Sequence, residues 1–267
     1  RGLKPWRVKG DFFYMKRFAI VLSVLFLMGV AVSAMAAEKV LLQYNPAPGT
    51  TTKYKMNING NTVVTAMQRA QKTNLETNMS LEQKVTGVDK NGNIEMTTTI
   101  TEGTITVNDT PTQLPAIGQV IKVKMAKNGE VIESEGMDQQ ANFNQMQIKF
   151  PSTPVGVGDT WDAAITANPQ MPIPLKVKYT VLGFETVDGQ ECVKLGSSVT
   201  SEQGDTGSIN LNVKADGKIW FAHKTGIMVK NEVVSSMIMV MENDMGGGKK
   251  EKIDTRMNLT LKMGIAK

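Results

Sequence analysis

Along most of this chain, apolar side chains return at every second position, the period that a β-strand imposes on its two faces. Leu75, Thr77, Met79, Leu81, Gln83 and Val85 share one face, and Glu76, Asn78, Ser80, Glu82 and Lys84 share the other. Asn91-Gly92 then supplies the left-handed backbone of a tight hairpin, and Ile94, Met96, Thr98 and Ile100 point inward on the return. The arrangement recurs. Ile121, Val123 and Met125 lead to Asn128-Gly129 and back through Val131, and Leu175, Val177, Tyr179 and Val181 lead to a turn at Asp188-Gly189. Ile209, Leu211 and Val213 lead to Asp216-Gly217, followed by Ile219 and Phe221, and Met257, Leu259, Leu261 and Met263 form a last strand. Four Asn-Gly or Asp-Gly turns predict consecutive antiparallel strands, hence an all-β fold of meander sheets.

One short helix is predicted over residues 137–149, stopped by Pro151 and Pro154, which cannot continue it. The stretches 151–159 and 168–174 read as loops, and 246–250 (Gly-Gly-Gly-Lys-Lys) as an exposed hairpin tip. Ala47-Pro48-Gly49-Thr50-Thr51-Thr52 opens the first half of the pattern and Gly156-Val157-Gly158-Asp159-Thr160-Trp161 the second. A duplication follows as an expectation: two curved sheets or half-barrels, at 37–136 and 157–267, joined by a helix and linker at 137–156.

Met15-Lys16-Arg17, the apolar run 18–32 and the small residues Ala34 and Ala36 have the order of a secretory signal. Export with cleavage after Ala36 is expected, to the periplasm or beyond; an uncleaved anchor helix is the other reading. Residues 1–14 precede Met15 and read as a start placed too early. Residues 1–36 hold six basic side chains and one acid, so the remainder carries 24 of each sign. With no excess positive charge left, strong non-specific binding to nucleic acid has no driving force. A membrane barrel would need aromatic girdles at both interfaces, and only nine aromatic residues follow the leader. No stable membrane span is expected once the signal is removed.

Groups able to do chemistry are few. The single histidine, His223, precedes Thr225-Gly226 and reads as an exposed turn residue. The single cysteine, Cys192, falls within a strand, where a buried thiol is the ordinary outcome; it forms no internal disulfide. One His and one Cys do not make a zinc site. Glycines 246–248 lack the Gly-Lys-Ser/Thr ending and the helix of a phosphate loop. Asp159, Asp162, Glu133 and Glu135 could supply a carboxylate pair for a hydrolase or lyase. No catalytic residue, metal or cofactor is assigned.

Methionine is the unusual component. In Met237-Ile238-Met239-Val240-Met241, three thioethers fall on one strand face and two branched side chains on the other. Three readings stand. The strand is buried on both faces, or the methionines line a cavity for an apolar guest, or they form a Cu(I) thioether site. Met237, Met239, Met241 and Trp220 are the candidate ligand-binding residues.

Two resemblances add to this. Phe150-Pro151-Ser152-Thr153-Pro154-Val155-Gly156-Val157-Gly158-Asp159-Thr160-Trp161 resembles the Pro-Val-x-Val-Gly-Asp-Thr-Trp signature of exported bacterial proteins of unknown function. Asp216-Gly217-Lys218-Ile219-Trp220-Phe221, continuing through Lys224-Thr225-Gly226-Ile227-Met228-Val229-Lys230, is similar to a strand-turn-strand of the LolA/LolB-like lipoprotein carrier superfamily. Ala222-His223 stands where an acid is usual in that turn. The resemblance implies a curved half-barrel with an apolar hollow. The expectation is a non-catalytic exported protein whose partner is an apolar small molecule or an envelope protein. A structural or protein-interaction module without a cavity is the main alternative.

Overall fold

Period-two alternation becomes strand wherever it was read, and the strands join into a single 13-stranded antiparallel sheet. The computed structural model describes residues 39–136, 147–165, 173–201, 204–205, 209–244 and 250–267. The leader, the first ten residues of the predicted helix and the glycine tip lie outside them. Residues 147–149 are irregular, and the described residues contain no helix long and apolar enough to cross a membrane.

Five long strands carry the middle of the sheet: β1 (Thr51–Ala66), β2 (Arg69–Val88), β11 (Ile209–Ala222), β12 (Ile227–Asp244) and β13 (Lys250–Ile265). On one side follow β3 (Ile94–Val107), β5 (Val120–Met125) and β6 (Val131–Glu135); β4 (Thr110–Gln113) pairs with β3 alone. On the other follow β9 (Gln190–Ser201), β8 (Leu175–Val187) and β7 (Thr160–Ile165), while β10 (Gly204–Asp205) pairs with β11. The order is β6-β5-β3-β2-β1-β13-β12-β11-β9-β8-β7. Two meanders thus meet where β1 pairs with β13, Met56 opposite Met263.

The sheet is strongly curled. Eight strand spacings separate β5 from β8 in this order, about 38 Å if the sheet were flat. Yet Met125 of β5 and Tyr179 of β8 belong to one packed cluster. Two irregular segments fill the hollow between them. Val40 and Val155 exchange both backbone hydrogen bonds at 2.9 Å, which ties the segments together. Leu42, Tyr44, Ile148 and Phe150 then turn inward and are buried. The rings of Tyr44, Phe150 and Phe221 pack mutually, with centroids 4.7–5.3 Å apart. The Tyr44 hydroxyl accepts the Ile148 N–H at 3.0 Å, so a buried backbone donor is satisfied by the plug itself.

The turns follow the sequence at three of four places. Asp188 and Gly189 both take positive φ, as a two-residue primed turn requires. At Asn91-Gly92 and Asn128-Gly129 only the glycine is left-handed; the loops are one turn plus a left-handed glycine, and Asp89 accepts from the N–H groups of Asn91 and Asn93. Asp216-Gly217 is not a turn. β11 runs through it, and Gly217 serves a close approach: a Cβ there would stand 2.6 Å from Ser197 Oγ and 3.1 Å from the Glu232 carbonyl.

The two stretches read as openings share a hydrogen-bond pattern. Gly49 N–H donates to Val85 O, and Val85 N–H to Thr50 O; Gly158 N–H donates to Val181 O, and Val181 N–H to Asp159 O. A bulge follows each partner, at Val85/Gly87 and at Val181/Gly183.

Candidate apolar binding face

One end of the inner face is closed by the plug, and a cavity of about 80 Å³ remains beneath it. Five methionines line it, each from a different strand: Met56, Met96, Met125, Met228 and Met263. The polar groups at its wall are amides and hydroxyls, from Gln83, Gln147, Thr50, Thr52 and Thr98, with Tyr44 and Tyr54. Tyr54 donates to the Met228 carbonyl at 3.0 Å, and burial pushes its pKa up to about 12. Burial likewise lifts Tyr44 above the ordinary tyrosine value, so both rings stay neutral. Thioethers on three-bond stems adapt to guests of different shape.

A volume of about 80 Å³ has room for only a few waters. Small-molecule pockets run from about 300 Å³ upward, so the cavity alone cannot enclose a large ligand. It does not end there. Beyond the plug the same face continues as an open trough along the long strands. Ile58 of β1 lies opposite Leu261 of β13, and Leu261 lies opposite Val233 of β12. One step further Leu259 leans over Gly60, filling the space of the missing side chain. Next come Met257 and Met237, paired across β13 and β12. All these apolar side chains are only half-buried. Among the described residues they form an apolar strip that is only partly covered.

The structure brings Met237, Met239 and Met241 onto this trough. Met237 and Met239 pack against Ile173, Leu175, Leu211 and Val213, and Met241 lies opposite Ile209 and Ile253. The strand is not buried twice: on the outer face Val234 and Ile238 are 62% and 43% exposed. Trp220 is not brought to the methionines. It lies on the outer face, opposite Lys194 and Lys230, whose ammonium groups stand 5.1 and 4.5 Å from its ring. Its indole N–H donates to Glu185.

Cys192 is fully buried, and burial raises its thiol pKa. His223 lies in a turn but is half-buried rather than exposed: its ring meets Phe184 edge-on, and its Nδ1 is buried without a hydrogen-bond partner. Asp159 accepts the Gly156 N–H and pairs with Lys39 at 3.0 Å, which holds its carboxyl below the usual range. Glu133 and Glu135 lie on β6, at the opposite end of the strand order from Asp162 on β7. The described residues contain no group of three or more His, Cys, Asp or Glu placed to hold a metal ion. The outer face carries a wider groove of about 670 Å³ lined by Asn59, Asn61, Asn74, Glu76 and Asn258. Within it the Asn258 amide donates to Asn61, and Glu76 accepts from the neighbouring Asn78 amide.

Fold and site together define an open, curled antiparallel sheet with an apolar inner face. No family model matches the sequence, and no curated protein matches it. Among solved structures, the chain is similar to a structure of lipid-protein interactions in lipovitellin, with a TM-score of 0.48 and 10% identity over 83% of this chain. This chain spans a quarter of that one (25%). It is also similar to a DUF1329-family protein from Desulfovibrio piger, with a TM-score of 0.16 and 13% identity, covering 78% of this chain and 84% of that one. At these values neither likeness bears on ligand or partner.

Proposed function

We propose that this protein, exported by its N-terminal signal, binds an apolar, lipid-like ligand on the inner face of the sheet and performs no chemistry on it. The observation that carries this reading is the continuity between the methionine-lined cavity and the half-exposed strip running past Leu259 to Met237. A ligand covering that strip would remove apolar surface from water, at about 25 cal/mol for each Å². The groups around the cavity are thioethers, hydroxyls and amides, a lining suited to holding rather than to proton or acyl transfer. The matching hydrogen bonds at Gly49 and Gly158 support two repeats behind the fold.

Native mass spectrometry of the purified protein, incubated with a bacterial lipid extract, tests the function. An apolar adduct is expected on the wild type and on Val234→Glu, which alters the outer face. Met237→Glu, which sets a charge in the trough, should lose it while keeping a β-sheet circular-dichroism spectrum. Absence of any apolar adduct, or equal loss from both variants, would overturn the reading.

A further inference from the structure

The trough is not apolar throughout. Asn231 of β12 points to the inner face, between Ile219 of β11 and Met263 of β13. It is 8% exposed, and its Oδ1 is buried without a hydrogen-bond partner. A buried carbonyl left unpaired costs free energy that a carbon side chain of similar size would not. Its inner-face neighbours Gly217, Val233 and Leu261 offer no side-chain donor. Asn231 also lies at a junction. Met263 lines the closed cavity, whereas Val233 and Leu261 begin the open strip.

We propose that Asn231 is the polar anchor of this site, and that the ligand is a neutral amphiphile whose hydroxyl or amide N–H donates to Asn231 Oδ1. This rests on the binding face proposed above and specifies what it selects. The carbonyl is an acceptor, so it asks for a donor. None of the five inner-face neighbours named is ionisable, so a carboxylate or phosphate placed there would be desolvated without a counter-charge. An uncharged head of the alcohol, monoacylglycerol or primary-amide type meets both conditions. The chain of the ligand then runs along the strip toward Met241. That is ten residues up the strand, about 33 Å at 3.3 Å per residue.

The test is displacement of the neutral dye N-phenyl-1-naphthylamine from the full chain by a matched pair, 1-dodecanol and dodecyl methyl ether. The two share the apolar chain and differ in the donor. The wild type should favour the alcohol about three- to tenfold, the factor one net hydrogen bond gives. Asn231→Leu should bring the ratio to one while keeping ether affinity; Asn231→Ala serves if the leucine variant does not fold. Equal affinities in the wild type, or an unchanged preference in the variant, would overturn the anchor and leave the apolar face standing. Failure of the dye and both competitors to bind would remove the face itself, and the anchor with it.

Discussion

Phe221→Ala probes whether one core holds the two ends of the curled sheet together. Phe221 is fully buried and meets Tyr44 edge-on at 5.3 Å and Phe150 at 4.7 Å. Those two rings belong to the irregular segments that plug the hollow, so the ring of Phe221 is where sheet and plug meet. Truncating a buried phenylalanine to alanine costs about 3–5 kcal/mol, the spread reflecting how far the site collapses. Here the hole is bounded by other rings and by the sheet backbone, so little collapse is available. The expected loss lies near 4 kcal/mol, a large share of the roughly 5–15 kcal/mol that a domain commands.

Urea denaturation followed by far-ultraviolet circular dichroism measures it. For a unit spanning Lys39–Lys267 the urea slope should be near the upper end of the usual range, about 3 kcal/mol per molar. The midpoint then falls by about 1.3 M with an unchanged slope. Val234→Ala, on the open outer face of β12, should cost less than about 1 kcal/mol. A Phe221→Ala loss no larger than that of Val234→Ala would refute a shared core between plug and sheet.

Gly217→Val should destabilise by about 2–3 kcal/mol in the same assay, because its side chain would meet Ser197 and the Glu232 carbonyl in mid-sheet; a neutral result would contradict the close packing described. Glu185 is held below the usual glutamate value, first by the Trp220 indole and then by Lys194. Its contribution is therefore present above pH 4.5 and is lost as pH falls through the lowered value. In a chain with Trp6 and Trp161 replaced by phenylalanine, Trp220 fluorescence should titrate with a midpoint below 4.5. Glu185→Gln should abolish that step, and a midpoint at or above 4.5 would count against the pairing. Cys192, buried with a raised pKa, should react with a disulfide reagent only as the protein unfolds; rapid labelling of the native form would contradict its burial.

How much of this was legible in the sequence depended on how local each signal was. Burial repeating at every second residue is a local signal, so β2, β3, β8 and β13 could be read directly. An Asp-Gly pair is an ambiguous one. At Asp188-Gly189 the glycine supplies positive φ, whereas at Asp216-Gly217 it supplies room for a neighbouring strand. The two dipeptides are chemically identical, and only the lengths of the flanking apolar runs could have separated them. β11 alternates without pause from Leu211 to Ile219, which was the sign that it does not turn.

The site shows the same division. Met237, Met239 and Met241 stood out because they fall within five residues of one another, and they do lie on the trough. The five methionines of the cavity come one to a strand, from Met56 to Met263. Each reads alone as an ordinary inward residue, and only the curl of the sheet collects them. That curl is written in non-local features: Leu259 packed over Gly60, Ser197 against Gly217, and a plug drawn from two distant segments. Trp220 failed to join the methionines because residue parity decides the face. On β11 the inward series is Leu211, Val213, Ala215 and Ile219, and an even-numbered residue on that strand looks outward. Asn231 is inward by the same parity through its partner Ile219. An amide at an inward position whose register neighbours Ile219, Met263, Val233 and Leu261 are all apolar was therefore detectable from the register alone.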